Sequence, residues 1–433
     1  MVKSARKSGK WWAVVLILAF LATAFLAACG KSGGSGSDGS NAGQQITLTF
    51  WNGFTGPDRP AYEAMVDEFM KAHPNIKVSM DIQPWDTLLA KLPSSLVSGN
   101  GPDIAAFNSN LIPQYAKAGN ILPLDELYSS KGIDTSVLPE SLVKQMQYDG
   151  KFYGAPANFA TLMMYYNKDL FAAAGLDPEK PPATWDEWTE AILKLTKKDG
   201  GENQYGFVIA DHATIPNWPI LIWGGGGDIV SEDRKSSLLA DPKTIEAVRK
   251  WSDLVIHHGI SPVNLTGAEA DKLFQTGKAA MEITGPWMTP GFTEAGLHYD
   301  VAPIPVGPGG PVTLADSVAL VAGKDTKHKE AVFEFMKFWN SKEAQIKLSV
   351  QSGFPPARTD LADDPELAKN AFAAKFATVA ADARFYLGGL EKANQIDTDI
   401  FIPAIQAILN GQGSVEDVLQ DADRKLNELL KGN

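Results

Sequence analysis

Apolar positions along the chain fall into two alternating rhythms. Ile46-Thr47-Leu48-Thr49-Phe50-Trp51 alternates as a strand does and stops at the turn signal Asn52-Gly53. From Asp58 to Ala72 the apolar residues Tyr62, Met65, Val66 and Phe69 return at helical spacing, and His73-Pro74 ends the run. Ile76 to Ile82 alternates again, Asp86 to Ser98 is helical, and Pro102 to Phe107 reads as a short apolar strand. This β-α-β-α-β order predicts a doubly wound α/β lobe, in which ligands bind beyond the carboxyl ends of the strands. Those ends fall at Trp51-Asn52 and at Phe107-Asn108-Ser109-Asn110. Further on, Trp185 to Lys197 is predicted helical, with Thr184 and Glu187 spaced as a capping box. Helices are also predicted over 244–257, 329–340, 401–409 and 415–430, the last two parted by Gly411 and Gly413.

The first 28 residues follow a different pattern. Lys3, Arg6, Lys7 and Lys10 precede an apolar run from Trp11 to Ala28, which ends at Leu26-Ala27-Ala28-Cys29-Gly30. Small residues before the chain's single cysteine predict a lipoprotein leader, with the Cys29 thiol as lipid acceptor and first mature residue. The Gly/Ser segment that follows, to residue 44, has almost nothing apolar to bury and is expected to be a tether. Removing the leader from 433 residues leaves 405, enough for two or three domains. It also removes four positive charges, so a net −12 becomes −16. A surface this acidic argues against nucleic acid as a partner. With Cys29 lipidated, no thiol remains for disulfides or thiol catalysis. The histidines are scattered, and the adjacent His257 and His258 diverge on a helix, so no metal site and no cofactor are expected.

A series of short segments then carries a resemblance. Phe50-Trp51-Asn52-Gly53, Gly101-Pro102-Asp103-Ile104, Tyr153-Gly154-Ala155-Pro156, Tyr165 to Phe171, Gly277 to Met281, Gly285-Pro286-Trp287 and Ser352 to Pro356 occur in an order that resembles extracellular solute-binding protein family 1. Within it the likeness is to the maltose- and oligosaccharide-binding group, and it spans nearly all of the mature chain. The resemblance implies two α/β lobes of periplasmic-binding-protein-like type II, joined by three hinge crossings, with a ligand cleft between them. One lobe would comprise 45–157 plus 316–357, the other 158–315 plus 358–433. The crossings would lie near Pro156 to Phe159, before Asp316-Ser317, and near Pro355 to Thr359. It further implies a monomeric, non-enzymatic importer component. That component would be held to the membrane by its lipid and would deliver a sugar to ABC permease subunits.

A sugar site needs aromatic faces for the apolar side of a pyranose, with amides and carboxylates matched to its hydroxyls. Trp51 and Asn52 at the first strand end, Trp85 after Pro84, Trp223 before the run Gly224 to Gly227, and Trp287 are the candidates of this kind. Trp287 stands where the family's tryptophan commonly stacks on sugar. Asn108 and Ser109 match a family binding loop, Asn158 lies at the expected hinge, and Asp316 at the second crossing. Asp58 fits a ligand contact and a helix N-cap equally well. Asp399 falls in a region that often touches sugar, although the family's aromatic pair is missing there. Tyr165, Tyr166, Trp185 and Trp188 are expected in the core, and Asp103 in a structural role.

Two other readings stay open at this level. A glycerol-phosphate ligand would need an arginine at its anionic end, and Arg59, Arg358 and Arg384 are near predicted cleft loops. A glycoside hydrolase would need two carboxylates at a defined separation, for which no local motif speaks.

Overall fold

The computed structural model describes residues 45–129, 132–199, 202–212, 216–361 and 364–431. The predicted leader, Cys29 and the tether lie outside these described residues. The alternation of the first segment becomes β1 (Ile46–Asn52), followed by α1 (Arg59–Ala72), β2 (Ile76–Ile82), α2 (Trp85–Val97) and β3 (Ile104–Asn108). β1 pairs in parallel with β2 and β3, Trp51 lying between Asp81 and Ala105. Leu48 and Phe50 are fully buried on one face, against Tyr62, Met65 and Phe69 of α1. The period-two and helical stripes therefore meet in one core.

The chain leaves this sheet through β4 (Ala155–Pro156), then forms β5 (Ala160–Thr161) and β6 (Met163–Asn167). β6 is the centre of a second sheet, flanked antiparallel by β7 (Met281–Thr284) and β8 (Tyr299–Ala302). Val208 makes a parallel bridge to Glu282 of β7 and Tyr205 one to Ala279 just before it, so this second sheet is mixed. The chain returns through β9 (Thr313–Asp316) and β10 (Val318–Ala322). β10 completes the first sheet in the order β2-β1-β3-β10-β4. β5, β9 and β11 (Ala383–Phe385) form a third, small sheet between the other two.

Tyr165 and Tyr166 are buried in the second sheet, and Trp188 is fully enclosed with Phe207 and Trp251. The helix α3 (Trp185–Leu195) begins in the expected capping box, Thr184 and Glu187 each satisfying the other's backbone N–H. The helix expected over 244–257 runs from Pro242 to Asp253, then widens into a π-turn at Leu254–His258 closed by left-handed Gly259. Asp103 is structural: its carboxylate accepts from Thr49 N and Oγ1 and, at 2.6 Å, from Thr326 Oγ1.

Asn158 fastens the two crossings beside each other. Its Nδ2 donates to Tyr62 Oη (2.7 Å), its Oδ1 accepts from Val318 N (2.9 Å), and its carbonyl accepts from Ser317 Oγ (2.9 Å). Trp339 Nε1 donates to Ala157 O, adding a second tie from the first half's helices. Through 357–359 the chain still rests on that half. Ala357 N donates to Gln345 Oε1, Arg358 Nη1 to Asn340 O, and Thr359 Oγ1 to Val137 O. By Ala371–Thr378 it has reached the other half, where Thr161 Oγ1 donates to Phe376 O. Among the described residues no helix is long and apolar enough to cross a membrane.

Candidate functional site

β1 ends in Asn52, whose Oδ1 accepts from Phe54 N at 3.2 Å and turns the chain back over the sheet. That turn sets Phe54 flat on Tyr62 of α1, ring centroids 3.7 Å apart and planes 4° from parallel. Trp85, the first residue of α2, meets Phe54 edge-on at 5.8 Å and lies directly over Gly53. A Cβ at Gly53 would sit 2.0 Å from the indole, so the glycine is what admits the ring. Tyr62 also meets Phe354 edge-on at 6.4 Å, and Phe354 meets Trp287 at 6.1 Å. Trp287 is folded over Gly285 in the same manner as Trp85 over Gly53. A continuous aromatic run, Trp85–Phe54–Tyr62–Phe354–Trp287, thus links the first sheet's helices to the strand end of β7.

Polar groups gather along this run. Asp58 precedes α1 without capping it through its side chain, and burial pushes its carboxyl up to about 7. Asp316, at the end of β9, accepts from Asn108 Nδ2 at 2.9 Å. Burial raises it to about 6 against the opposing pull of Asn108 and the Ser317 backbone. The Tyr62 hydroxyl is held well above the ordinary phenol range, first by burial and then by the charges of Asp58 and Asp316. Ser109 is buried, its backbone N–H donating to Ser317 O. Among the described residues, Asn52 Nδ2 and Asn110 Oδ1 are buried without a protein partner. Donors, acceptors and raised carboxyls beside aromatic faces are what hydroxyl recognition requires.

Asn52, Asp58, Trp85, Asn108, Ser109, Asn158, Trp287 and Asp316 are therefore brought into one region. Trp51 is not part of it. The pleat turns its side chain to the opposite face from Phe50 and Asn52, where Lys91 Nζ lies 3.9 Å above the ring. Trp223 forms a separate cluster, donating from Nε1 to Asp228 (2.8 Å) with the Arg384 guanidinium 4.6 Å above its ring. Arg384 also pairs with Asp228. Asp399 is exposed and accepts from neighbouring Thr398, whereas Asp397, two residues earlier and so on the other side of the helix, is half-buried and accepts from Tyr386 Oη. Sequence reasoning missed Phe54, Tyr62 and Phe354. Tyr62 carries the helical spacing of a core residue, and Phe354 showed only as part of Ser352 to Pro356. Among the described residues no group of three or more His, Cys, Asp or Glu is arranged to hold a metal ion.

Comparison with known proteins bears on this arrangement directly. Residues 53–346 match the family model of bacterial extracellular solute-binding proteins. The chain belongs to that family. Its members bind solutes for transporters and are not enzymes. A diacetylchitobiose-binding protein of Streptomyces coelicolor is 28% identical, the match covering 78% of this chain and 79% of that one. An sn-glycerol-3-phosphate-binding periplasmic protein of Brucella melitensis is 27% identical over 73% and 76% of the two chains. The solved ABC transporter solute-binding protein of Thermotoga lettingae, bound to alpha-D-tagatose, superposes with a TM-score of 0.81 at 25% identity. It covers 89% of this solute-binding chain and all of its own.

Proposed function

We propose that this solute-binding protein captures a sugar between its two sheet-bearing halves and hands it to an ABC permease. The observation that carries the reading is the aromatic run from Trp85 to Trp287, edged by Asn52, Asp58, Asn108 and Asp316, in a chain of this family. Relatives that bind diacetylchitobiose and tagatose support it. The lobes would be 45–157 plus 316–357 and 158–315 plus 358–433, closing on solute by bending at the crossings stapled by Asn158. Acylation of Cys29 would hold this monomer outside the membrane on its Gly/Ser tether.

A glycerol-phosphate ligand is the second reading, favoured by the Brucella relative. Its anion would have to compete with Asp228 for Arg384, the arginine lying on Trp223. Calorimetric titration of the mature protein with mono- and disaccharides, polyols, sugar phosphates and sn-glycerol 3-phosphate separates the two. Stoichiometric binding of an uncharged sugar is expected, and a response confined to phosphate esters would reverse the order. Loss of detergent-phase partitioning in Cys29→Ala tests the anchor.

A further inference from the structure

After β11 the chain makes a turn that is rooted in one half and touches the other. Tyr386, Leu387 and Leu390 are buried in the core of the second half. Leu387 is held at φ 50°, a left-handed conformation that leucine rarely adopts, and Gly389 follows at φ 78°. Strain of this kind persists only where the surrounding packing imposes it, and here it turns the segment toward the first half. Gly388 abuts the Gln145 side-chain amide so closely that a Cβ would overlap it. The Glu391 carboxylate accepts from Tyr148 Oη at 2.7 Å and from Lys117 Nζ. Those two donors, Lys117 more than Tyr148, hold its carboxyl below the ordinary range, so it is charged at neutral pH.

Lys117 and Tyr148 stand in the first half. Lys117 ends the helix Ile112–Lys117, which follows the turn Ser109–Leu111 at the tip of β3, and Tyr148 lies in the short strand Gln147–Tyr148. The helix Ala393–Ile396, just beyond Glu391, packs beside that same turn. A second meeting of the halves occurs near Trp287. Gly291 lies so close to Pro57 that a Cβ there would be 2.6 Å from the proline Cγ. The crossings are covalent and persist at any angle between the halves. The Glu391 and Gly291 contacts exist only while the halves are together.

We propose that Glu391, Lys117 and Tyr148 form a latch of the closed form, a charged contact outside the aromatic run that parts when the crossings bend open. This rests on the two-lobed capture reading given above. Solute enters while the latch is parted and leaves only after it has parted again. The latch therefore sets the rate of release and leaves the rate of entry unchanged. Lys117 is 59% exposed, so its ion pair is screened and worth a severalfold effect rather than orders of magnitude. The Tyr148 hydrogen bond, made to a charged acceptor, adds to it.

The test measures the distance between the halves. Nitroxide labels are placed at Val97→Cys and Ile256→Cys, exposed positions one in each half, in the mature chain carrying Cys29→Ser. Pulsed electron spin resonance then gives the closed-to-open ratio. That ratio should fall about threefold to tenfold in Glu391→Lys. It should recover in the charge swap Lys117→Glu/Glu391→Lys, and it should collapse in Gly291→Val, which wedges Pro57 away with the latch residues intact. Raising salt from about 50 to about 500 mM should lower the wild-type ratio and barely move that of Glu391→Gln. Thermal unfolding checks that the variants fold. The same samples are measured with D-tagatose and with N,N′-diacetylchitobiose in excess. A sugar that binds should dissociate faster from Glu391→Gln at an unchanged association rate. Distances identical in wild type and folded Glu391→Lys, with and without sugar, or no recovery in the swap, overturn the latch whatever the sugars do. Distances that follow Glu391→Lys and the swap while neither sugar binds uphold the latch and count against the sugar reading alone.

Discussion

Asp58 is the group whose removal most sharply tests the electrostatics of the site. Its carboxyl is 6% exposed and raised from 3.8 to about 7, chiefly by burial. Between those two values the native state holds a proton that the unfolded chain has lost. The native state thus binds more protons, and stability must fall as pH rises through this interval. Below pH 3.8 the contribution is absent, and above pH 7 the penalty is complete. At about 1.4 kcal/mol per pH unit, the full penalty is roughly 4 kcal/mol, of which about 3 kcal/mol develops between pH 4.5 and pH 8. Asp58→Asn preserves shape and cannot ionise. Urea unfolding of ligand-free wild type and variant at both pH values, at fixed ionic strength, gives the comparison. The raised carboxyls of Asp316 and Asp397 slope the same way in both proteins and largely subtract out. The variant should be within about 1 kcal/mol of wild type at pH 4.5 and roughly 3 kcal/mol more favourable, relative to that, at pH 8. A stability difference that does not change with pH, or a variant less stable at pH 8, would refute the assignment.

Other perturbations address the crossings and the aromatic run. Asn158→Ala strands the Val318 N–H and the Tyr62 hydroxyl in a buried site, and should cost about 2–4 kcal/mol in the denaturant midpoint. Gly53→Ala puts a methyl group where the Trp85 indole lies. Because that ring is half-buried and can swing outward, sugar affinity should drop more than tenfold while the melting temperature moves little. Trp287→Ala should weaken sugar binding by about 2 kcal/mol, or roughly thirtyfold, in the same titration; an unchanged Kd would remove Trp287 from the site.

The first half of the fold was legible because its strands alternate and its helices keep the 3.6-residue period. β1, α1, β2 and α2 begin and end within one residue of the pattern-based limits. The second sheet was not, and the reason is burial on both faces. β6 reads Met-Met-Tyr-Tyr-Asn with every position buried, and β7 is buried throughout, so neither shows a period-two signal. The site was half legible for a related reason. Strand ends indicated Asn52, Asn108 and Asp316, and Gly-Pro-Trp indicated Trp287. Trp51 was misplaced, although period two already puts it on the face opposite its neighbour Asn52. Asp399 and Asp397 are two residues, about half a turn, apart, so the choice between them depends on helical phase. The π-turn Asp397–Phe401 sets that phase, and no sequence period announces it.

In the function proposed above, capture and hinge bending would share atoms. Asn158, on the first crossing, holds the Tyr62 hydroxyl, and that hydroxyl feels the charges of Asp58 and Asp316. Asp316 itself stands on the second crossing and is tied by Asn108 to the tip of β3. A ligand hydroxyl donating to Asp316 would compete with Asn108 for that carboxylate. It would therefore act on the β3–β9 tie at the point where the chain passes from one sheet to the next. Solute bound at a site remote from these residues would have no such purchase. It could close the halves only through contacts made after they had moved. On the proposed reading the groups that meet solute are the groups that set the crossing geometry, so differential affinity for open and closed states can arise at first contact.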